Sequence, residues 1–263
     1  MNIFQKTIKR AHSFLFFLGG FGSLCGQIIR EFFYPPYYFR LTVMQIYSIG
    51  VQSFFLVAVT GFATGSVMAL QFGAGLAKFG GTLYIPKIIA LSIAREMGPV
   101  FTSLLVAGRV GSGIAAEVAS MKVTQQIDAI RALGTSPIKR IVIPRLLAAM
   151  IALPILTLFA DYIGLWGAML VSRGEFNINY EFFINKANDT LRMYDLWTGM
   201  LKTSVFAFFI AVSSCWKGLN TDGGTQGVGI TTTRVVVASS IFIMTSDYFL
   251  TKIFIMTVYP RFN

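Results

Sequence analysis

The chain has 263 residues, of which 55% are hydrophobic and only 13% charged. A soluble domain carries about a quarter charged residues, so this composition excludes a surface that faces mostly water. The net charge of +11 would suggest nucleic acid on a soluble protein. Here the charges lie between apolar runs, where membrane topology and anionic lipid headgroups account for them, and no nucleic-acid partner is expected.

The first apolar run, 11–29, carries no charge but is interrupted by Gly19, Gly20, Gly22 and Gly26. No small-residue cleavage pattern follows it, so no cleavable signal peptide is expected. Phe32, Phe33, Tyr34, Tyr37 and Tyr38 follow, around Pro35 and Pro36. Such a segment reads as a helix lying in the membrane interface, edged by an aromatic belt.

About 20 apolar residues are needed to cross a bilayer. The runs 50–72, 88–108, 146–170, 196–216 and 235–258 meet that length. With five spans, one side holds 13 cations: Lys6, Lys9, Arg10, Arg30, Arg40, Arg109, Lys122, Arg131, Lys139, Arg140, Arg145, Lys217 and Arg234. The other holds 6: Lys78, Lys87, Arg173, Lys186, Arg192 and Arg261. Letting 11–29 span as well moves Lys6, Lys9 and Arg10 across, giving 10 against 9. The positive-inside bias therefore favours five spans, with the N-terminus cytoplasmic and the C-terminus outside. The expected fold is an all-α integral membrane protein with an N-terminal interfacial helix and five transmembrane helices. It reads as a single domain, 1–263, divided into an interfacial region 1–45 and a five-span bundle 46–263.

In the first span Gly61 and Gly65 make a GxxxG, which permits close helix contact. The second carries Arg95 and Glu96 just before Gly98-Pro99. Embedded charges cost about 2.5–3.5 kcal/mol each at mid-membrane. Adjacent helical positions point about 100° apart, so these two cannot neutralise each other face to face, and at least one needs a partner elsewhere or a wet cavity. Lys202 in the fourth span is a candidate partner for Glu96, and Asp195 lies about two turns before it. Asp161 in the third span and Asp247 with Lys252 in the fifth complete the embedded set. Lys252, near a span end, reads as a snorkelling charge.

Two stretches between spans are long enough to fold. Residues 109–136 carry apolar positions three, four or six apart and fit one or two amphipathic helices closed by Gly134. Residues 172–195 read as a short helix on the other side. Gly223-Gly224-Thr225-Gln226-Gly227-Val228-Gly229 reads as a tight turn before the fifth span. It lacks the lysine of a phosphate-binding loop, and GxxxxGK[ST] occurs nowhere. If ATP drives this protein, another polypeptide binds it together with Mg. Cys25 and Cys215 sit in apolar runs without metal-ligand spacing, and His12 is the one histidine. No GxSxG, HExxH or paired-carboxylate pattern marks a catalytic site, so neither catalytic nor metal-binding residues are expected.

The stretch Gly113-Ile114-Ala115-Ala116-Glu117 with Met121-Lys122-Val123-Thr124-Gln125-Gln126-Ile127-Asp128-Ala129-Ile130 closely resembles the coupling region of MlaE-type permeases. Those are the membrane subunits of Mla/Mce-type ABC lipid transporters. Ala94-Arg95-Glu96-Met97-Gly98-Pro99-Val100, Ala107-Gly108-Arg109, Gly223-Gly224, Gly227-Val228-Gly229 and Asp247-Tyr248-Phe249-Leu250-Thr251 resemble further motifs of the family, in the same order. The resemblance covers roughly 45–255. It implies a homodimer in the bacterial inner membrane with a cytoplasmic ABC ATPase and an extracytoplasmic MCE-domain protein. In some systems a STAS-domain protein joins the ATPase. It implies phospholipid or a related lipid as cargo, moved between inner and outer membranes. It implies a lipid pocket at Arg95, Glu96 and Lys202, with Asp195 beside it. It implies ATPase contact along a coupling helix at roughly 113–134, through Glu117, Met121, Thr124, Gln125, Gln126 and Asp128. The family usually has Glu where Gln125 stands, so a charged contact there is missing. The alternatives are an ATP-independent secondary lipid carrier and a lipid-acting membrane enzyme.

Overall fold

The computed structural model describes residues 19–258. Lys6, Lys9, Arg10, His12, Ser13 and Arg261 lie outside the described residues, as does the first half of the run 11–29. The described chain is built of helices, with no strand among the described residues.

Helix α1 covers 19–32. Its described part rises about 21 Å, short of a hydrocarbon core of about 30 Å. One face packs on the bundle: Leu24 and Ile28 are buried in the main core, and Phe21 stacks with Phe209 and Phe242. Ile29, on the other face, and Phe32 and Phe33 at the helix end are exposed.

Five helices are long and apolar enough to cross a membrane: α2 (Phe39–Ala77), α3 (Thr82–Val123), α5 (Ile138–Phe176), α7 (Met193–Leu219) and α8 (Gly224–Thr257). Two short helices join them, α4 (Gln126–Ala132) between α3 and α5, and α6 (Tyr180–Thr190) between α5 and α7. These are the five expected spans, each longer than its apolar run. In α8 the added turns, 224–234, are mostly small or polar residues, whereas those of α2, 39–49, include Phe39, Val43, Met44 and Tyr47.

Helix α5 is the central post. Its most apolar 18 residues are 72% buried, against 22% for α2 and 28% for α8. The GxxxG of α2 seats against it, because Gly61 faces Ala160 and Gly65 faces Gly164. A methyl at Gly61 would sit 2.9 Å from the Ala160 carbonyl, so absent side chains set this helix–helix distance.

Two stretches differ from the sequence reading. The Gly-rich run 223–229 is not a loop throughout. Gly223 (φ 91°) and Gly224 (φ 63°) make the turn, and α8 begins at once. Two left-handed glycines absorb the whole reversal. The stretch 109–136 is two helices, within the reading of one or two, but the first is not separate from the second span. Its first half, through Val123, is the uninterrupted end of α3. The break comes at Gln125, which is left-handed (φ 59°), and α4 starts immediately after it. Gly134 (φ 72°) ends α4 as expected.

Candidate functional site

The embedded charges of three spans meet in one network. Helix α3 is not α-helical throughout: Ile93–Met97 and Ala107–Gly111 are π-turns. A π-turn inserts an extra residue, widens the helix and re-aims its side chains. Arg95 and Glu96 stand in the first of these, and Arg109 in the second.

The two adjacent side chains reach different partners on α7. Arg95 Nε donates to Asp195 Oδ1 at 2.7 Å, and Asp195 is fully buried. Glu96 Oε2 accepts from Lys202 Nζ at 2.7 Å. Asp195 and Lys202 are seven residues apart, two turns on one helix face. Asp195 also closes the start of α7, where its Oδ2 accepts the Arg192 N–H at 3.0 Å in a capping box. One carboxylate thus fixes where α7 begins and where Arg95 points.

Lys202 is the hub. It is 1% exposed, and its ammonium donates to Glu96, to Thr251 Oγ1 at 2.7 Å and to the Arg95 carbonyl at 3.0 Å. Asp247 Oδ1 lies 3.1 Å away, at ion-pair distance but without hydrogen-bond alignment. Thr251 also donates to Glu96. The carbonyl of Arg95 is within Lys202's reach because the π-turn shifts the usual i to i−4 pattern. The network therefore ties α3, α7 and α8 together. Its five charged members are Arg95, Lys202, Glu96, Asp195 and Asp247, two cations against three carboxylates. The most accessible edges are those of Arg95 and Glu96, 27% and 33% of the side chain, against 19% for Asp247. These are the groups able to meet a polar ligand. Lys202 instead holds the others in place.

Asp161 stands apart from the network. It is buried on α5 against Gly98, and its Oδ1 has no hydrogen-bond partner. Lys252 is exposed on α8.

The predicted coupling residues cluster at the α3–α4 corner. Thr124, Gln125, Gln126 and Asp128 are exposed there, while Met121 packs partly on the core. Asp128 pairs with Lys122 at 3.3 Å and Arg131 at 3.4 Å. Glu117 pairs with Arg145 at 2.6 Å, clamping the end of α3 to the start of α5. Arg109 donates to the buried Ser53 of α2 at 2.5 Å.

The sequence reading left Asp247 and Thr251 out of the site, although both face Lys202. Their spacing of four residues, one helix face, was the available signal. It also counted Arg145 as a loop charge. Arg145 is 6% exposed and belongs to α5.

Residues 42–253 match the family described as Permease MlaE. A probable ABC transporter permease protein of Rickettsia typhi is 41% identical over 249 residues, covering 95% of each chain. A probable ABC transporter permease protein of Synechocystis is 36% identical and covers 86% of each. The intermembrane phospholipid transport system permease protein MlaE of Haemophilus influenzae is 33% identical, covering 95% of this chain and 92% of that one. With five membrane-length helices and a family match over most of its length, the chain is a multi-pass membrane protein of the MlaE permease family, a permease subunit of an ABC-type transporter.

Proposed function

We propose that this permease moves phospholipid or a related lipid between the inner and outer membranes of a bacterium, driven by a separate ATPase. The observation that carries the reading is the polar network inside an apolar bundle, with the edges of Arg95 and Glu96 left accessible. A headgroup needs a polar contact in the membrane, and its acyl chains need apolar walls. The exposed apolar faces of α2 and α8 supply such walls.

In this mechanism two copies of the chain enclose the lipid. The Arg95 guanidinium and Glu96 carboxylate contact the headgroup. Asp195 and Lys202 are positioning residues that keep both groups from collapsing on each other. The N-terminus is cytoplasmic, in the inner membrane, and an ABC ATPase docks on the exposed corner at Thr124, Gln125, Gln126 and Asp128. Gln125 offers a hydrogen bond where a carboxylate would offer an ion pair. Movement of that corner reaches α5 through Glu117–Arg145 and α2 through Arg109–Ser53. ATP and Mg belong to the ATPase, and this chain catalyses no reaction. An MCE-domain protein receives or delivers the lipid on the far side, and a STAS-domain protein is a further partner of the ATPase. The name of the Haemophilus influenzae relative, with its phospholipid, supports the cargo.

The test is affinity purification of the tagged chain from its native membrane in mild detergent, followed by mass spectrometry of proteins and bound lipid. An ATPase, an MCE-domain protein and stoichiometric phospholipid are expected. A chain that stays alone after cross-linking in the membrane would overturn the ATP-driven reading in favour of a carrier. Turnover of a lipid by the purified chain would replace it with an enzyme.

A further inference from the structure

A second polar region lies at the opposite end of α7 from the network. Lys202 and Leu219 are 17 residues apart on this helix, about 25 Å. There α1 stands off from the segment that joins α4 to α5, and the gap forms two cavities. One, about 440 Å³, is lined by Gln27, Arg131 and Trp216 among others. The second, about 600 Å³, is lined by Gln27, Arg30, Glu31, Tyr34, Ser136 and Lys139. Gln27 lines both, so the two lie side by side along α1 as a groove. Each exceeds the volume of roughly 300 Å³ at which small-molecule sites begin.

The lining is electropositive. It holds Arg30, Arg131 and Lys139 against one carboxylate, Glu31. That carboxylate is tied down, since it accepts the Ser136 hydroxyl at 2.5 Å. Lys139 is held in the groove wall by donating to the Pro35 carbonyl at 2.9 Å. Arg131 has an exposed ion pair with Asp128, of a kind worth about 0–1 kcal/mol. Arg30 makes no ion pair among the described residues. Besides Tyr34 in the lining, Phe32, Phe33 and Tyr37 of the same segment are exposed, as aromatic side chains are at headgroup level.

We infer that this groove is a binding site for the anionic phosphodiester headgroup of a membrane lipid, separate from the transport site. Arg30 and Lys139 pair with the phosphodiester, and the tyrosine-lined edge receives the glycerol end. The acyl chains run along the exposed apolar face of α1, beside Ile29 and Phe33. A neutral zwitterionic headgroup binds weakly, because its own cation opposes three positive side chains. Free phosphate binds weakly, because it lacks the chains that the flanking apolar face covers. Such a lipid bridges α1 and the α4–α5 segment, so its occupancy fixes the position of α1 against the corner that carries α4.

The test uses the full chain in detergent micelles. Native mass spectrometry measures affinity for dioctanoyl phosphatidylglycerol, dioctanoyl phosphatidylcholine and sodium phosphate. Arg30→Gln/Lys139→Gln is compared with wild type and with Lys252→Gln, an exposed cation on α8. Loss of two interfacial cations should weaken phosphatidylglycerol binding about 30-fold. Arg30→Gln alone should weaken it about 5-fold, and it removes no ion pair of the described structure. Phosphatidylcholine should not compete, and Lys252→Gln should bind as wild type does. Equal losses in Lys252→Gln and in the double variant would overturn the site in favour of diffuse charge attraction. Phosphatidylcholine binding as tightly as phosphatidylglycerol would overturn the anionic selectivity. Phosphate competing at the same concentration would overturn the lipid assignment. Lipids are counted per chain: the double variant loses the groove lipid whether or not a second one sits at Arg95 and Glu96, which separates failure here from failure of the transport reading.

Discussion

Lys202→Met replaces a buried ammonium by an apolar chain of similar length. The wild-type Nζ has Glu96, Thr251 and the Arg95 carbonyl as acceptors, with Asp247 at 3.1 Å. Methionine fills the space but leaves two carboxylates facing each other across α3 and α8. Removing one partner of a buried pair costs about 3–5 kcal/mol. Glu96 and Asp247 keep 33% and 19% of their side chains accessible, so partial hydration places the expected loss at the low end, about 3 kcal/mol. The assay is reversible unfolding in mixed micelles, read by tryptophan fluorescence. The companion variant Lys202→Met/Glu96→Gln/Asp247→Asn removes both stranded charges. It should recover most of the loss, because an apolar or neutral replacement of a whole buried ion cluster is near neutral. Wild-type stability for Lys202→Met alone would refute the claim that this ammonium holds three spans together. Failure of the triple variant to recover would show that packing, not charge, sets the cost.

Three further outcomes follow from the geometry. Glu117→Ala should destabilise more than Arg145→Leu, by about 1–3 kcal/mol in the same unfolding assay. Arg145 is buried and would be stranded, with its Nε already lacking a partner, whereas the half-exposed Glu117 can return to water. Equal costs would contradict this. Gly65→Val should cost about 1–3 kcal/mol by overpacking against the Gly164 backbone. Gly75→Ala, which meets nothing within 4 Å, should be neutral or slightly stabilising, as unfolding midpoints will report. Asp195→Asn should retain more stability than Asp195→Ala, because the amide oxygen still accepts the Arg192 N–H, while its NH2 faces Arg95 Nε–H and that contact is lost. Indistinguishable midpoints for these two variants would remove the cap from the account.

The sequence by itself determined the membrane class, the five spans and which polar residues stand inside them. Those properties are local. Twenty apolar residues in a row can only be buried in lipid or protein, and a charge among them shows wherever the chain runs. The two-turn spacing of Asp195 and Lys202 was equally local, and it correctly pointed at one face of α7. The family motifs added the likeness. The tertiary structure alone decided the pairing. Arg95 and Glu96 reach separate partners because a π-turn re-aims the helix that carries them, and no apolar pattern records an inserted residue. Lys202 became a hub because the rotation of α8 brings Asp247 and Thr251 to it. The GxxxG of α2 meets α5 of the same chain, although its spacing fits any close-packed helix. The end of α3 and the break at Gln125 also needed the fold, since helix continuation past the apolar run depends on the packing of Ile114 and Val118 in the core. Helix rotation and axial offset fix all of these, and both are set by how every span packs at once rather than by any one segment.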